Sequence, residues 1–167
     1  LLFDHLVHAD RPMMELVTAD YTFVNERLAR HYGIGGVSGP DFRKVSYPDD
    51  KRRGILGHAS ILTLTSHGNR TSPVLRGKWV MEVLLGSPPP PPPENVPDLD
   101  QTGDAKDGKF ISVAEQLAKH RASPFCSSCH NVIDPIGLSL DNFDVTGSWR
   151  IKDRGVAVSV AGELYDG

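Results

Sequence analysis

The two cysteines of the chain lie in one short motif, Cys126-Ser127-Ser128-Cys129-His130, and the 167 residues contain no other cysteine. CxxCH is the attachment signature of c-type haem. Two thiols at this spacing match the two vinyl groups on one porphyrin edge, and the residue that follows lies below the iron, where an imidazole can ligate. We therefore expect one covalently attached haem c, bound through Cys126 and Cys129, with His130 as the proximal iron ligand.

Other uses of paired cysteines fit the sequence less well. A thioredoxin-like redox pair begins a helix within a βαβ pattern, and no parallel-sheet pattern surrounds the motif. A structural zinc site takes four ligands, usually from two such pairs, and the second pair is missing. A structural disulfide would leave the adjacent His130 unexplained. The motif therefore favours haem c.

The second axial ligand, if this chain supplies it, comes from upstream, because residues 131–167 contain neither Met nor His. We favour His67, which lies in a polar, glycine-containing segment, residues 65–70, between two apolar stretches. His120 is the runner-up, because it is close to the motif but its short tether to Cys126 makes the opposite haem face hard to reach. The remaining upstream candidates are His5, His8, Met13, Met14, His31, His58 and Met81.

Arginine is the expected partner of the haem propionates, because a guanidinium fork matches a carboxylate. Arg70 and Arg76 are the candidates for this contact, together with Arg150 and the tryptophans Trp79 and Trp149.

The segment after the motif, residues 131–138, contains Asp134-Pro135 and Gly137 and predicts a turn. A ligating histidine is usually oriented by a hydrogen bond from its other ring nitrogen to a carbonyl group. We expect carbonyl groups near Pro135 to accept this bond from His130. The apolar residues that we expect to keep water from the haem are Ile133, Ile136, Leu138 and Phe143.

Helical patterns dominate the rest of the chain. Apolar spacing and end signals predict helices over residues 1–7, 21–32, 72–86 and 111–120, while residues 33–48 read as loop. Ser72-Pro73 is typical of a helix start, with Pro at the first helical position, and Pro124 ends the last of the predicted helices. Residues 55–65 are compatible with helix or strand. The six prolines at 88–93 predict a stiff polyproline II spacer laid over the surface. The expected fold class is mainly α, a cytochrome-c-like helical haem domain with long irregular loops and a polyproline spacer.

Charge and hydropathy narrow the classes of partner. The net charge of -3 gives no basic excess, which argues against nucleic acid binding. No apolar run approaches the roughly 18 to 20 residues that a transmembrane helix needs. The chain begins within an amphipathic pattern and without an initiator Met, so we expect it to be a piece of a longer protein.

Three stretches carry a family resemblance: residues 53–79 (RGILGHASILTLTSHGNRTSPVLRGKW), the proline run, and residues 120–150 (HRASPFCSSCHNVIDPIGLSLDNFDVTGSWR). They resemble the planctomycete-type exported cytochrome c proteins, which are built from tandem modules mostly named only as domains of unknown function. The resemblance implies a haem at Cys126, Cys129 and His130, a larger parent protein, and a periplasmic or otherwise extracytoplasmic location. It also implies three modules: residues 1–50 end a preceding helical module, 51–150 form the c-type haem module, and 151–167 start a following one.

Two functions remain open at this point. The first is an electron-transfer subunit or module that relays single electrons between redox protein partners, docked on a larger membrane-associated redox complex. The alternative is a haem enzyme of peroxidase or oxidase type, with an open axial position on the iron. The sixth ligand separates them, because two protein ligands leave no iron site for chemistry. The resemblance and the available histidines favour a non-catalytic electron carrier.

Overall fold

The computed structural model describes residues 1–92 and 111–161, which divide into two compact units. The first unit is Leu1–Leu64 with Thr146–Ser148, and the second is Thr65–Val145 with the chain from Trp149 onward. The helices are α1 (Leu2–His8), α2 (Glu15–Thr18), α3 (Glu26–Tyr32), α4 (Ala59–Leu64), α5 (Pro73–Trp79), α6 (Val113–Arg121) and α7 (Pro124–Leu138), with a 3-10 turn at Ile55–Gly57 and a π-helical segment at Val80–Leu84. The strands are β1 (Tyr21–Val24), β2 (Arg43–Ser46), β3 (Lys152–Asp153) and β4 (Val156–Ala157).

These units describe how the chain packs, and they leave the module boundaries inferred from the sequence as predictions. Residues 93–110 and 162–167, which include the last proline of the run and the end of the expected third module, lie outside the described residues.

The expected fold class, a mainly α, cytochrome-c-like helical domain, is wrong. The described residues are 44% helical and 11% strand, and they form two antiparallel two-stranded sheets, β1 with β2 and β3 with β4. The β1–β2 pair aligns Tyr21 with Ser46 and Val24 with Arg43. Strand β2 lies in the stretch that reads as loop in the sequence, so pairing with a distant segment determines its conformation.

The predicted helix over residues 21–32 also divides. Its first four residues, Tyr-Thr-Phe-Val, are aromatic or β-branched and form β1, as such residues favour a pleated, half-buried surface. The side chain of Asn25 accepts a hydrogen bond from the Leu28 amide at 3.0 Å and caps α3. An N-cap residue has extended backbone, so the helix cannot continue back into the strand.

In the first unit, α1 packs on the start of β1. Leu2, Leu6, Ala19 and Tyr21 form the buried apolar cluster. The unit is completed by Thr146–Ser148. Buried Arg52 donates to the carbonyl oxygens of Gly57, at 2.7 Å, and Gly147. These contacts tie the late segment to the rest of the unit.

The backbone at position 147 requires glycine. Its φ of +76° lies in the left-handed region, and a Cβ there would come within 2.7 Å of the Ala59 Cα atom. Only glycine meets both conditions without strain.

The second unit is organised around a backbone-to-backbone crossing of α5 and α7. A Cβ at Gly77 of α5 would lie 2.0 Å from the carbonyl oxygen of Ile133, and a Cβ at Gly137 of α7 would lie 1.7 Å from that of Pro73. Because each helix presents a glycine to the other's backbone, the two helices approach more closely than any side chain would permit. Helix α5 begins as the sequence predicts, with Ser72 as cap and Pro73 at the first turn.

Buried Arg76 fastens the chain that follows α7. Its Nη1 donates to the carbonyl oxygens of Leu140 and Phe143, both at 2.7 Å, and its Nη2 donates to Asp144 O at 2.9 Å and to Ser66 Oγ at 3.2 Å. Burial lowers the pKa of Arg76 to about 10, so the side chain keeps its charge at neutral pH. Four acceptors offset much of the desolvation of this cation, and its Nε is buried without a hydrogen-bond partner among the residues that the structure describes.

We expect Gly137→Ala to destabilise the second unit strongly. The added methyl group would meet backbone atoms of α5 that cannot move without displacing the helix, and the expected loss is about 3 kcal/mol of unfolding free energy, the upper end of ordinary overpacking costs. Gly68→Ala is the matched control, because a Cβ at Gly68 meets no atom within 4 Å. Denaturant unfolding of both variants measures the difference, and equal stabilities would contradict the close crossing.

Candidate functional site

The CxxCH motif lies in the first turns of α7. Pro124, which the sequence suggested as the end of the preceding helix, is instead the first residue of α7, a position that suits proline because the first helical amide needs no partner. Cys126 and Cys129 are three residues apart on this helix and therefore share one face. Both thiols are free and half-buried. The helix thus holds the two sulfurs and His130 in a fixed arrangement.

A cavity of about 610 Å³ adjoins this face. Its volume is within the range of cofactor sites in proteins. Both cysteines and His130 line it, together with His120 of α6 and with Lys78 of α5. The remaining lining residues are apolar or small: Val74, Leu75, Pro89, Pro90, Pro91, Pro92, Pro124, Phe125, Ser128 and Ile133. The thiols, an imidazole and an apolar wall of sufficient size are what a covalently attached haem requires.

The proline run forms part of this wall. The sequence predicts a spacer laid over the surface, and residues 89–92 do have partly or fully exposed side chains, but they also line the cavity. Proline has no amide hydrogen, so the run adds apolar surface without any backbone donor that would need a partner. Its described part therefore acts as a wall of the site.

A buried carboxylate orients His130. The Nδ1 atom of His130 lies 2.8 Å from Asp134 Oδ1, and Arg121 Nη1 of α6 donates to Asp134 Oδ2 at 2.7 Å. The Asp134 side chain is fully buried. A carboxylate beside Nδ1 favours the tautomer with the proton on Nδ1, in which the lone pair of Nε2 is available to a metal.

The carboxylate replaces the carbonyl that we had expected to hold His130. Residues 131–138 form no turn, because α7 continues through them to Leu138 with Pro135 inside the helix. Asp134 then lies four residues after His130, on the same helical face. The HxxxD spacing was visible in the sequence, but it indicates a contact only once the segment is known to be helical.

His120 is the second imidazole of the site. It stands in the last turn of α6, and its ring centroid is 4.6 Å from that of His130, with the planes at 73°. Burial, together with the neighbouring His130, lowers the pKa of His120. The two rings are in edge contact, so an iron atom between them would require one ring to move.

His67, our favoured distal ligand, lies elsewhere in the second unit. It is exposed, in a turn closed by a bridge between Ser66 and Thr71, and its amide donates to Arg70 O at 2.9 Å. It does not line the cavity beside the cysteines. The structure thus brings His120 to His130 and leaves His67 apart, while the distal ligand itself stays a prediction.

The two arginines predicted to meet the propionates also lie outside the cavity lining. Arg76 is buried, with its Nη atoms bonded to three carbonyl oxygens and the Ser66 hydroxyl, and Arg70 lines a separate cavity of about 80 Å³. Lys78 is the cationic residue among the described residues that line the large cavity, at 3.5 Å from Glu82. Sequence reasoning missed it because nothing in the sequence distinguishes Lys78 from a surface lysine.

Two properties of residues 1–92 and 111–161 bear on the class of site. They contain no group of three or more His, Cys, Asp and Glu side chains arranged to hold a metal ion by themselves. A haem iron needs only axial ligands from the protein. In the same residues, no helix is both long and apolar enough to cross a membrane.

The fold and site define a mixed helix-and-strand protein with a CxxCH helix beside an apolar cavity. Residues 52–153 match the PSCyt3 family, described as a protein of unknown function (DUF1588), and residues 1–34 match the PSD4 family, described as a protein of unknown function (DUF1592). The first match covers more than half of the chain, which therefore belongs to the PSCyt3 family. Both names are consistent with planctomycete cytochrome c modules, so the resemblance is confirmed at that level. No curated protein and no solved structure matches the chain significantly.

We expect the Arg121–Asp134 pair to stabilise the haem-free chain. In a double-mutant cycle with Arg121→Met and Asp134→Asn, the expected coupling energy is about 2 kcal/mol, since the carboxylate is fully buried. The exposed pair Lys51–Asp49 serves as control, with an expected coupling below about 1 kcal/mol. Chemical denaturation of the four proteins in each cycle provides the energies. Equal couplings in the two cycles would show that burial of Asp134 has no energetic consequence.

Proposed function

We propose that this chain carries one haem c, attached to Cys126 and Cys129 and ligated by His130, and that it relays single electrons between redox protein partners. The observation that carries the proposal is the cavity of about 610 Å³ lined by both free thiols and by His130. Membership of the PSCyt3 family, whose name is consistent with a cytochrome module, supports it.

Attachment needs no oxidant. Each cysteine S–H adds across one vinyl C=C bond, the sulfur bonding to one carbon and the hydrogen to the other, so two thioethers form and nothing is released. Because Cys126 and Cys129 share a face of α7, both sulfurs would be able to bond to one porphyrin edge. His130, the next residue on that helix, would hold the iron through Nε2, since Nδ1 lies against Asp134.

One-electron reduction and reoxidation of its iron is the chemistry that the haem supplies when bound. The chain's own residues contribute the environment. Val74, Leu75, Ile133 and the prolines 89–92 exclude water, which lowers the local dielectric constant around the site. Lys78 is placed to meet the negative charge of a propionate. The donor and the acceptor in this proposal are redox proteins, in a larger membrane-associated complex.

The proposal places the protein outside the cytoplasm, in the periplasm or on an exported face of the membrane. Thioether attachment is completed after export in bacteria, and paired thiols are handled there by dedicated machinery. Cell fractionation of the haem-bearing protein tests this placement.

We expect haem to stay with the polypeptide through acid-acetone extraction and denaturing electrophoresis when the chain is produced with a haem c attachment system. Replacing both Cys126 and Cys129 by Ser removes both thioethers, so the denatured chain should then be colourless. Ser127→Ala and Ser128→Ala, within the same motif, are the controls and should keep the haem. A colourless wild-type chain under these conditions would rule out the proposal.

The distal ligand separates the relay from the haem enzyme. We expect a low-spin, six-coordinate iron, with His120 better placed than His67 because it already lines the cavity. His120→Ala should then give a high-spin spectrum and rapid binding of carbon monoxide, while His67→Ala should leave the spectrum unchanged. The reverse result would restore His67 as the ligand. A wild-type protein that is already high-spin and turns over peroxide would favour the enzyme.

A further inference from the structure

We infer that Asp134 is a positioning residue that fixes the ring of His130 and lowers the reduction potential of the site. This inference rests on the proposed function, since it concerns the axial ligand of a bound haem. The feature behind it is a chain of three side chains, His130, Asp134 and Arg121, contributed by the two consecutive helices α6 and α7.

Both oxygens of the Asp134 carboxylate are engaged. Oδ1 lies 2.8 Å from His130 Nδ1, and Oδ2 accepts from Arg121 Nη1 at 2.7 Å. The side chain has no solvent exposure, and that of His130 is 20% exposed. A carboxylate held from both sides cannot rotate away from the imidazole. The ring of His130 is therefore oriented before any haem is attached.

The group that accepts the hydrogen bond from His130 Nδ1 affects how strongly Nε2 donates electrons to a metal. A buried carboxylate is a stronger acceptor than a backbone carbonyl, because its hydrogen bond is charge-assisted. It draws the Nδ1 proton toward itself, which raises the basicity of Nε2 and strengthens its donation to a metal. A more basic ligand stabilises the oxidised, more positive iron relative to the reduced iron. The reduction potential should therefore be lower than with a neutral acceptor.

Arg121 reduces the effect of the Asp134 charge on the reduction potential without removing it. Its guanidinium binds the far oxygen of the carboxylate, so it fixes the position of Asp134 while its positive charge opposes the negative one. The two substitutions thus predict shifts of opposite sign. Loss of the carboxylate charge should raise the potential, and loss of the guanidinium should lower it.

The test compares potentials in the haem-loaded protein. Asp134→Asn keeps the size of the side chain and removes its charge, and we expect the equilibrium constant for one-electron reduction to rise about tenfold, a shift of about 59 mV. Arg121→Gln should shift the potential in the opposite direction. Asp134→Glu restores the carboxylate and should bring the potential back toward the wild-type value. The paramagnetic-resonance spectrum of the ferric protein should change in Asp134→Asn, because the environment of His130 changes, and should stay close to the wild-type spectrum in Asp134→Glu.

Asp141→Asn is the matched control, because Asp141 is also buried and ion-paired, with Arg150 Nη2 at 3.0 Å, but does not line the cavity. It should lower stability and leave the potential unchanged. If Asp134→Asn does not fold, the potential of Arg121→Gln decides. An unshifted potential in Asp134→Asn and Arg121→Gln with the haem still attached, or an equal shift in Asp141→Asn, would overturn the inference. A wild-type chain that holds no haem would instead overturn the proposed function.

Discussion

The crossing of α5 and α7 at Gly77 and Gly137 is the contact on which the site depends. Two glycines leave the backbones of these helices in direct contact, so their relative position is set by atoms that have no rotamers. Helix α7 carries the CxxCH motif, and α5 carries Val74, Leu75 and Lys78 on the cavity lining. Two walls of the cavity are therefore held at a fixed separation by a backbone contact that includes Ile133 of the lining, and such rigid support is what preorganises a binding site.

The last turn of α6 also contributes two side chains to the same site. Consecutive residues of its last turn, His120 and Arg121, serve different partners: the imidazole lies against His130 in the cavity, and the guanidinium binds the buried carboxylate of Asp134. Helix α6 thereby contacts the His130 ring directly through His120 and holds its carboxylate partner, Asp134, through Arg121. Only two residues, Ala122 and Ser123, join α6 to α7. A longer loop would constrain the relative position of the two helices less, and both contacts depend on that position.

Local signals in the sequence predicted some elements well, and long-range contacts explain most errors. The CxxCH motif and the Ser72-Pro73 helix start depend on neighbouring residues alone, and both could be read directly. The strand at residues 21–24 could not be predicted in this way, because the strand with which it pairs lies about twenty residues away in the sequence. The turn expected after His130 was wrong because Pro135 lies inside a helix whose neighbouring residues Ile133, Asp134, Gly137 and Leu138 are buried. The sequence predicts that Arg76 meets a haem propionate, and only the structure shows that it is buried with its Nη atoms bonded to three carbonyl oxygens and the Ser66 hydroxyl.

The discontinuous first unit has a consequence for the order of events during synthesis. Its closing segment, Thr146–Ser148, follows α7 in the chain, yet Arg52 binds the Gly147 carbonyl across 95 residues of sequence. A chain that emerges from the ribosome with its amino end first cannot complete this unit until Cys126 and Cys129 have already emerged. The cysteines would thus be accessible to modifying enzymes while the amino-terminal unit is still incomplete. Such a long-range closure is also slow, because its loop entropy is lost before any contact compensates it.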